Sequence, residues 1–200
     1  MAVDAKMLND IEKAEPIERK AMLQVVRLSK PTPKIKQMLW TDDSKVPKER
    51  RKRDFRIVID DLTIPFEVKA DFSSKGSGNI ALEYECHGKP SGLAATESKV
   101  WIQMVPVQNE EWIMYFSRVS TLREHLMVMK SGIWIPNEKV EGTWPWSKYR
   151  RLTSNARSGD SNPSMNMLLN LDMHINGKDW WNEASMLEKG SIDWRLFAVV

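Results

Sequence analysis

Hydrophobic and polar positions alternate with a period of two through DFRIVIDDLTIPFEVK, residues 54–69, and the alternation breaks only at Asp60, Asp61 and Leu62. Runs of Ile, Val and Phe on either side of a short polar break predict a β-hairpin. Centring the turn between Asp60 and Asp61 pairs Phe55 with Phe66, Ile57 with Ile64, and Asp54 with Glu67. Strand side chains alternate between faces. Phe55, Ile57, Ile59, Ile64, Phe66 and Val68 therefore share one face, and Asp54, Glu67 and Lys69 share the other.

The rest of the chain predicts both helices and strands. Residues 4–30 read as helix, broken or re-aimed at Pro16, with Ile17, Leu23, Val26 and Leu28 as the apolar stripe. Pro31 and Pro33 end it, residues 34–40 suggest another short turn of helix, and 41–53 are a polar connection. After the hairpin, 72–78 read as a loop. Residues 79–86 alternate like a strand, with Ile80, Leu82, Tyr84 and Cys86 on one face and Ala81, Glu83 and Glu85 on the other. As a third strand beside the hairpin, this segment could bring Glu83 or Glu85 close to Glu67. A loop over 87–95 and a short helix over 96–99 follow. Residues 100–107 and 112–119 form a second hairpin by pattern. A helix over 121–130 has the capping-box spacing of Thr121 and Glu124. Residues 165–171 fit either a strand or a short helix. The expected architecture is a single mixed α/β domain, its sheet led by the 54–69 hairpin (residues 1–53 before the sheet core of 54–119, and 120–200 after it).

Composition narrows the class. Two hundred residues, 42% hydrophobic and 28% charged, suit one soluble globular domain. No apolar run approaches the roughly 18 residues of a membrane span, and the opening MAVDAKMLNDIEK lacks a signal-peptide core, which predicts a cytoplasmic protein with no membrane partner. Cys86 is the only cysteine, so neither an internal disulfide nor a cysteine-based zinc site can form. The three histidines have no ligand-like spacing. Net charge is only +3, yet Lys45, Lys48, Arg50, Arg51, Lys52 and Arg53 crowd the nine positions before Asp54. A basic run there places phosphate-attracting charge at the edge of the acidic pair.

That pair carries the chemistry. Opposed residues of an antiparallel pair have Cβ atoms about 4.5 to 5.5 Å apart, so the Asp54 and Glu67 carboxylates are forced together beside an apolar layer. Either one keeps its proton or a hard cation lies between them, and an oxygen-lined site suits Mg²⁺ or Mn²⁺. Lys69, roughly 6 to 7 Å further along the strand, can reach water or a phosphate oxygen. The acid-x-Lys triplet alone is common: Asp4, Glu18, Asp43, Glu67 and Glu97 each begin one. Only Glu67 lies in an apolar strand with an acid at its mirror position.

Asp54 followed by Glu67-Val68-Lys69 resembles the PD-(D/E)XK nuclease superfamily. Asp71, then GNIALEYE at 78–85 and GKPSG at 88–92, resemble a phage-type branch of it. The likeness covers roughly 54–101, with a fainter match at 158–162, and Arg53 stands where the motif's proline would be. It implies a restriction-endonuclease-like mixed β-sheet flanked by helices, with Asp54, Glu67 and the Val68 carbonyl holding Mg²⁺ or Mn²⁺, and Lys69 as the catalytic lysine. Glu83 is a further candidate ligand, and a helical acid, Glu15 or Glu18, could complete the set. Ser91, Thr96 and Lys99 would border the substrate groove as candidate phosphate contacts, and Arg50, Arg51, Lys52 and Arg53 would bind the nucleic acid. If the chain is phage-encoded, the expected compartment is the host cytoplasm.

The expected function is metal-dependent hydrolysis of phosphodiester bonds, with DNA as substrate and endonucleolytic cutting as the mode. The alternative is a non-catalytic nucleic-acid-binding module that keeps the nuclease fold. TWPWSKYRR at 143–151 mixes rings and cations suited to stacking on bases, which serves either reading. A homodimer is compatible with both. The glycines at 76 and 78 do not make a dinucleotide fingerprint, because a strand pattern follows them where that motif needs a helix.

Overall fold

A computed structural model describes residues 5–30, 34–40, 54–107, 111–131, 150–154, 164–171, 181–185, 190 and 192–198. Helix α1, Ala5–Leu28, runs unbroken through Pro16. Its buried face is Ile17, Ala21, Gln24, Val25 and Leu28, whereas Leu23 and Val26 are exposed. The expected stripe was therefore rotated: positions 17, 21, 24, 25 and 28 follow helical spacing, and 23 and 26 fall outside that arc.

Residues Ile35–Trp40 form strand β1, not the expected turn of helix. They pair antiparallel with β2, Phe55–Ile59, with Trp40 opposite Phe55. The partner strand and the core decide the conformation here, overriding weak local preference. Strands β2 and β3, Leu62–Ala70, form the expected hairpin in the expected register, with Phe55 opposite Phe66 and Ile57 opposite Ile64. Asp60 takes a left-handed φ of 54° at its turn. All six apolar residues of the inner face are buried.

The neighbour of β3 on its other edge is β6, Val100–Pro106, which runs parallel to it. A parallel neighbour requires a long crossover, and residues 71–99 supply it. Strand β4, Asn79–Cys86, lies within that crossover and so cannot be the third strand beside the hairpin. It belongs to a second, antiparallel sheet of order β5-β4-β9-β8, with β5 at Lys89–Pro90, β8 at Arg150–Ser154 and β9 at Ser164–Asn170. The segment expected at 165–171 as strand or short helix is thus strand as far as Asn170. The first sheet continues through β7, Trp112–Arg118, to β10, Asn182–Ser185, giving the order β1-β2-β3-β6-β7-β10.

Two apolar cores result. α1 packs on the face bearing Phe55, Ile57, Phe66, Val100 and Ile102. The opposite face, with Trp101, Val105 and Tyr115, packs on Ile80, Leu82, Met167 and helix α2, Val119–Ser131. Strand β6 is covered on both sides, which is why its residues 100–105 are all buried. Helix α2 begins at Val119, two residues before Thr121, so Thr121 is not its cap, and the Val119 N–H donates to the Lys99 carbonyl. Residues 96–99 are not helical, and single helical turns stand at Ser74–Ser77, within the expected loop, and at Gly92–Ala95. Trp181 and Trp194 are core residues, Trp194 meeting Phe66 edge to face at 5.3 Å. Among the described residues no helix is long and apolar enough to cross a membrane.

Candidate active site

Asp54 lies one residue before β2, and its backbone N–H donates to the Phe66 carbonyl at 2.9 Å. The strand pairing ends at Phe55 opposite Phe66, and this contact sets Asp54 at the end of the ladder, beside the Glu67–Val68 segment of β3. Its Oδ2 accepts the Val68 N–H at 2.6 Å, so the side chain takes the place of a strand partner at that point. The N–H and C=O of one strand residue point to the same edge, which directs the Val68 carbonyl toward Asp54 as well.

Glu67 is only 7% exposed. Trp101 is its register partner on β6, and the segment before β6 brings Thr96 over it. Both carboxylate oxygens are engaged: Oε1 lies 2.7 Å from the Lys69 ammonium, and Oε2 accepts the Thr96 hydroxyl at 3.0 Å. Thr96 is held in turn, since its carbonyl accepts Nη2 of Arg123 on α2. Sequence reasoning placed Thr96 at a phosphate. In the fold it orients a carboxylate, a role invisible without the 67–96 contact.

The charges are arranged unequally. Burial pushes the Asp54 carboxyl up to about 8; Lys69 and the Val68 N–H oppose that, while Glu67 and Glu18 add to it. The Asp54 carboxyl is therefore hard to ionise. Burial works against the Lys69 charge, but the Glu67 and Asp54 carboxylates outweigh it and hold the ammonium well above the ordinary lysine range. The field of Glu18 reaches both Asp54 and Lys69. Glu15, the other helical candidate, instead pairs with Arg19 at 2.9 Å.

Glu83 stands on β4 in the second sheet, where it accepts the Ser91 hydroxyl, so Ser91 is committed to Glu83 and not presented as a free phosphate contact. Glu85 is on the same strand, likewise outside the hairpin's sheet. Lys99 donates its backbone N–H to Pro65 and lines a cleft of about 200 Å³ with Thr96, Ser98, Ser120, Arg123 and Phe197. Arg50, Arg51, Lys52 and Arg53 lie outside the described residues, as do Trp144, Trp146 and the 158–162 loop.

Asp54, Glu67 and the Val68 carbonyl are hard oxygen donors, and a divalent cation would offset both the burial and the acidic neighbours that disfavour the Asp54 charge. In that respect the residues fit Mg²⁺ or Mn²⁺. Among the described residues no three His, Cys, Asp or Glu side chains converge as a ready metal cage. The ammonium of Lys69 occupies Glu67 Oε1, so an ion using that oxygen has to displace it. No protein-family model, curated protein or solved structure matches this chain.

Proposed function

We propose that this protein is a metal-dependent nuclease that hydrolyses phosphodiester bonds in nucleic acid, with DNA as the expected substrate and internal cutting as the expected mode. The observation that carries the reading is the ion pair of Lys69 with a buried Glu67, across the hairpin from a carboxyl of Asp54 that is itself hard to ionise. A purely structural hairpin gains nothing from two acids and a lysine beside an apolar layer, because burying charge is costly. The resemblance of Asp54 and Glu67-Val68-Lys69 to the PD-(D/E)XK nucleases supports the same conclusion.

In this reading Asp54, Glu67 and the Val68 carbonyl hold the ion, with Glu18 adding negative charge from the α1 side. When bound, the ion supplies the positive charge that compensates the transition state of phosphoryl transfer. Thr96 keeps the Glu67 carboxylate in one orientation. Lys69, held protonated by its acidic neighbours, directs hydrogen bonds at the attacking water or the phosphate oxygen; it serves as an orienting group in preference to a base.

A second reading, a nucleic-acid-binding module without turnover, is favoured by one feature: the Lys69 ammonium pairs with Glu67 and can neutralise it without a metal. The two are separated by incubating the purified protein with supercoiled, linear, single-stranded and branched DNA, and with RNA, in Mn²⁺ with and without EDTA. Cleavage that EDTA and Glu67→Gln both abolish supports the nuclease. Retained binding with no cleavage of any substrate overturns it in favour of the module.

A further inference from the structure

The polar face of β3 continues past Lys69 to Asp71, and the parallel register lays Trp101 beside Glu67 and Gln103 beside Lys69. Gln103 is 1% exposed, and both ends of its amide are engaged. Its Nε2 donates to Asp71 Oδ2 at 3.3 Å, and its Oε1 accepts the Trp101 indole N–H at 2.9 Å. A flipped amide would set donor against donor and oxygen against carboxylate, so only one orientation is satisfied. Asp71 is anchored from two directions. Its Oδ1 accepts the Ser73 and Ser74 N–H groups at 3.1 Å each, and its Oδ2 accepts the Ala81 N–H of β4 at 3.2 Å.

This chain of contacts ends at Lys69. The fully buried Trp101 ring has the Lys69 ammonium 6.0 Å from its centroid. We propose that Gln103 is a positioning residue: by locking the Trp101 indole between β6 and Asp71, it fixes the aromatic wall that keeps the Lys69 ammonium aimed at Glu67. In the nuclease reading, on which its catalytic consequence rests, the same wall aims Lys69 at the attacking water. A lysine on four rotatable carbons has no directional preference of its own, and the negative face of a fixed ring supplies one.

Two variants of the full chain test this. Gln103→Leu keeps the volume and deletes both hydrogen bonds; Trp101→Phe keeps a ring face and deletes the indole N–H. Each is checked for folding by circular dichroism. The first readout is the rate at which an amine-selective acetylating reagent modifies Lys69, followed by peptide mass spectrometry in EDTA, with the exposed Lys75 as internal reference. Freed from its wall, Lys69 is expected to react roughly tenfold faster relative to Lys75. The second readout is Mn²⁺-dependent cleavage, where kcat falls roughly tenfold while KM and Mn²⁺ affinity hold. If Lys69 labelling in a folded variant stays within about twofold of wild type, a change too small for a lost anchoring contact, the positioning role is overturned whether or not the protein cuts DNA. If labelling rises but the wild type cleaves nothing, the wall stands and the nuclease reading falls. Should Gln103→Leu not fold, Trp101→Phe decides alone.

Discussion

The Lys69 ammonium sits 2.7 Å from Glu67 Oε1, two residues back on the same strand face, so the most basic group of the site is bound to one of its two principal acids. A divalent ion and Lys69 therefore compete for the same oxygen. That competition gives Glu67 and Lys69 opposite mutational signatures.

Glu67→Gln removes the charge and keeps the shape and the Thr96 hydrogen bond. Cleavage is expected to disappear and Mn²⁺ affinity to fall. The Asp54 carboxyl should titrate lower once its negative neighbour is gone, because Glu67 is one of the groups raising it. Relief of acid repulsion and loss of the Lys69 pair offset each other, so folding stability should change by no more than about 1 kcal/mol. Isothermal titration with Mn²⁺ and a melting curve in EDTA check both halves. Full Mn²⁺-dependent activity in this variant would move the active site elsewhere.

Lys69→Ala frees Glu67 Oε1. Mn²⁺ should bind at least as tightly as in wild type, while single-turnover cleavage slows by roughly a hundredfold or more. Weakened Mn²⁺ binding would contradict the competition.

Glu18→Gln should weaken Mn²⁺ binding, whereas Glu15→Gln should not, because the Glu18 charge acts on Asp54 and Lys69 while Glu15 is tied to Arg19. Equal effects of the two variants in the same titration would remove Glu18 from the site.

The pH dependence follows from Asp54, raised from 3.8 to about 8 by burial first, then by Glu67 and Glu18. Between those values the folded protein binds a proton that the unfolded chain has released, so its contribution is present at low pH and is lost as pH rises toward 8. In EDTA, stability should fall from pH 5 to pH 8 with a limiting slope of about 1.4 kcal/mol per pH unit. Asp54→Asn should flatten that slope, and thermal melts of both proteins across the range measure it. An unchanged slope in Asp54→Asn would assign the titration to another group.

Thr96→Val deletes the hydroxyl that donates to buried Glu67 Oε2 and should cost about 1 to 3 kcal/mol, since a buried carboxylate oxygen is left without that donor. Chemical denaturation reads the loss, and a cost near zero would mean that the contact is dispensable.

The sequence by itself determined the hairpin and its register. Period-two alternation puts Phe55, Ile57, Ile64 and Phe66 on one buried face, and the polar break centres the turn so that Phe55 meets Phe66 and Ile57 meets Ile64. The β6–β7 hairpin was legible for the same reason: neighbouring segments pair through local turns. What surrounds the hairpin was decided by tertiary structure. Strand β1 forms because β2 offers it an edge, and the short 34–40 pattern carried no such information. Strand β4 alternates as read but lies in the second sheet, since alternation reveals which residues share a face and not which strand lies beside them. The parallel neighbour β6, remote in sequence, brings Trp101 and Gln103 alongside Glu67 and Lys69, and α1 brings the charge of Glu18 within reach of Asp54. Pairing by a local turn is written in adjacent residues; contacts across a crossover depend on which buried faces meet, and only the folded chain settles that.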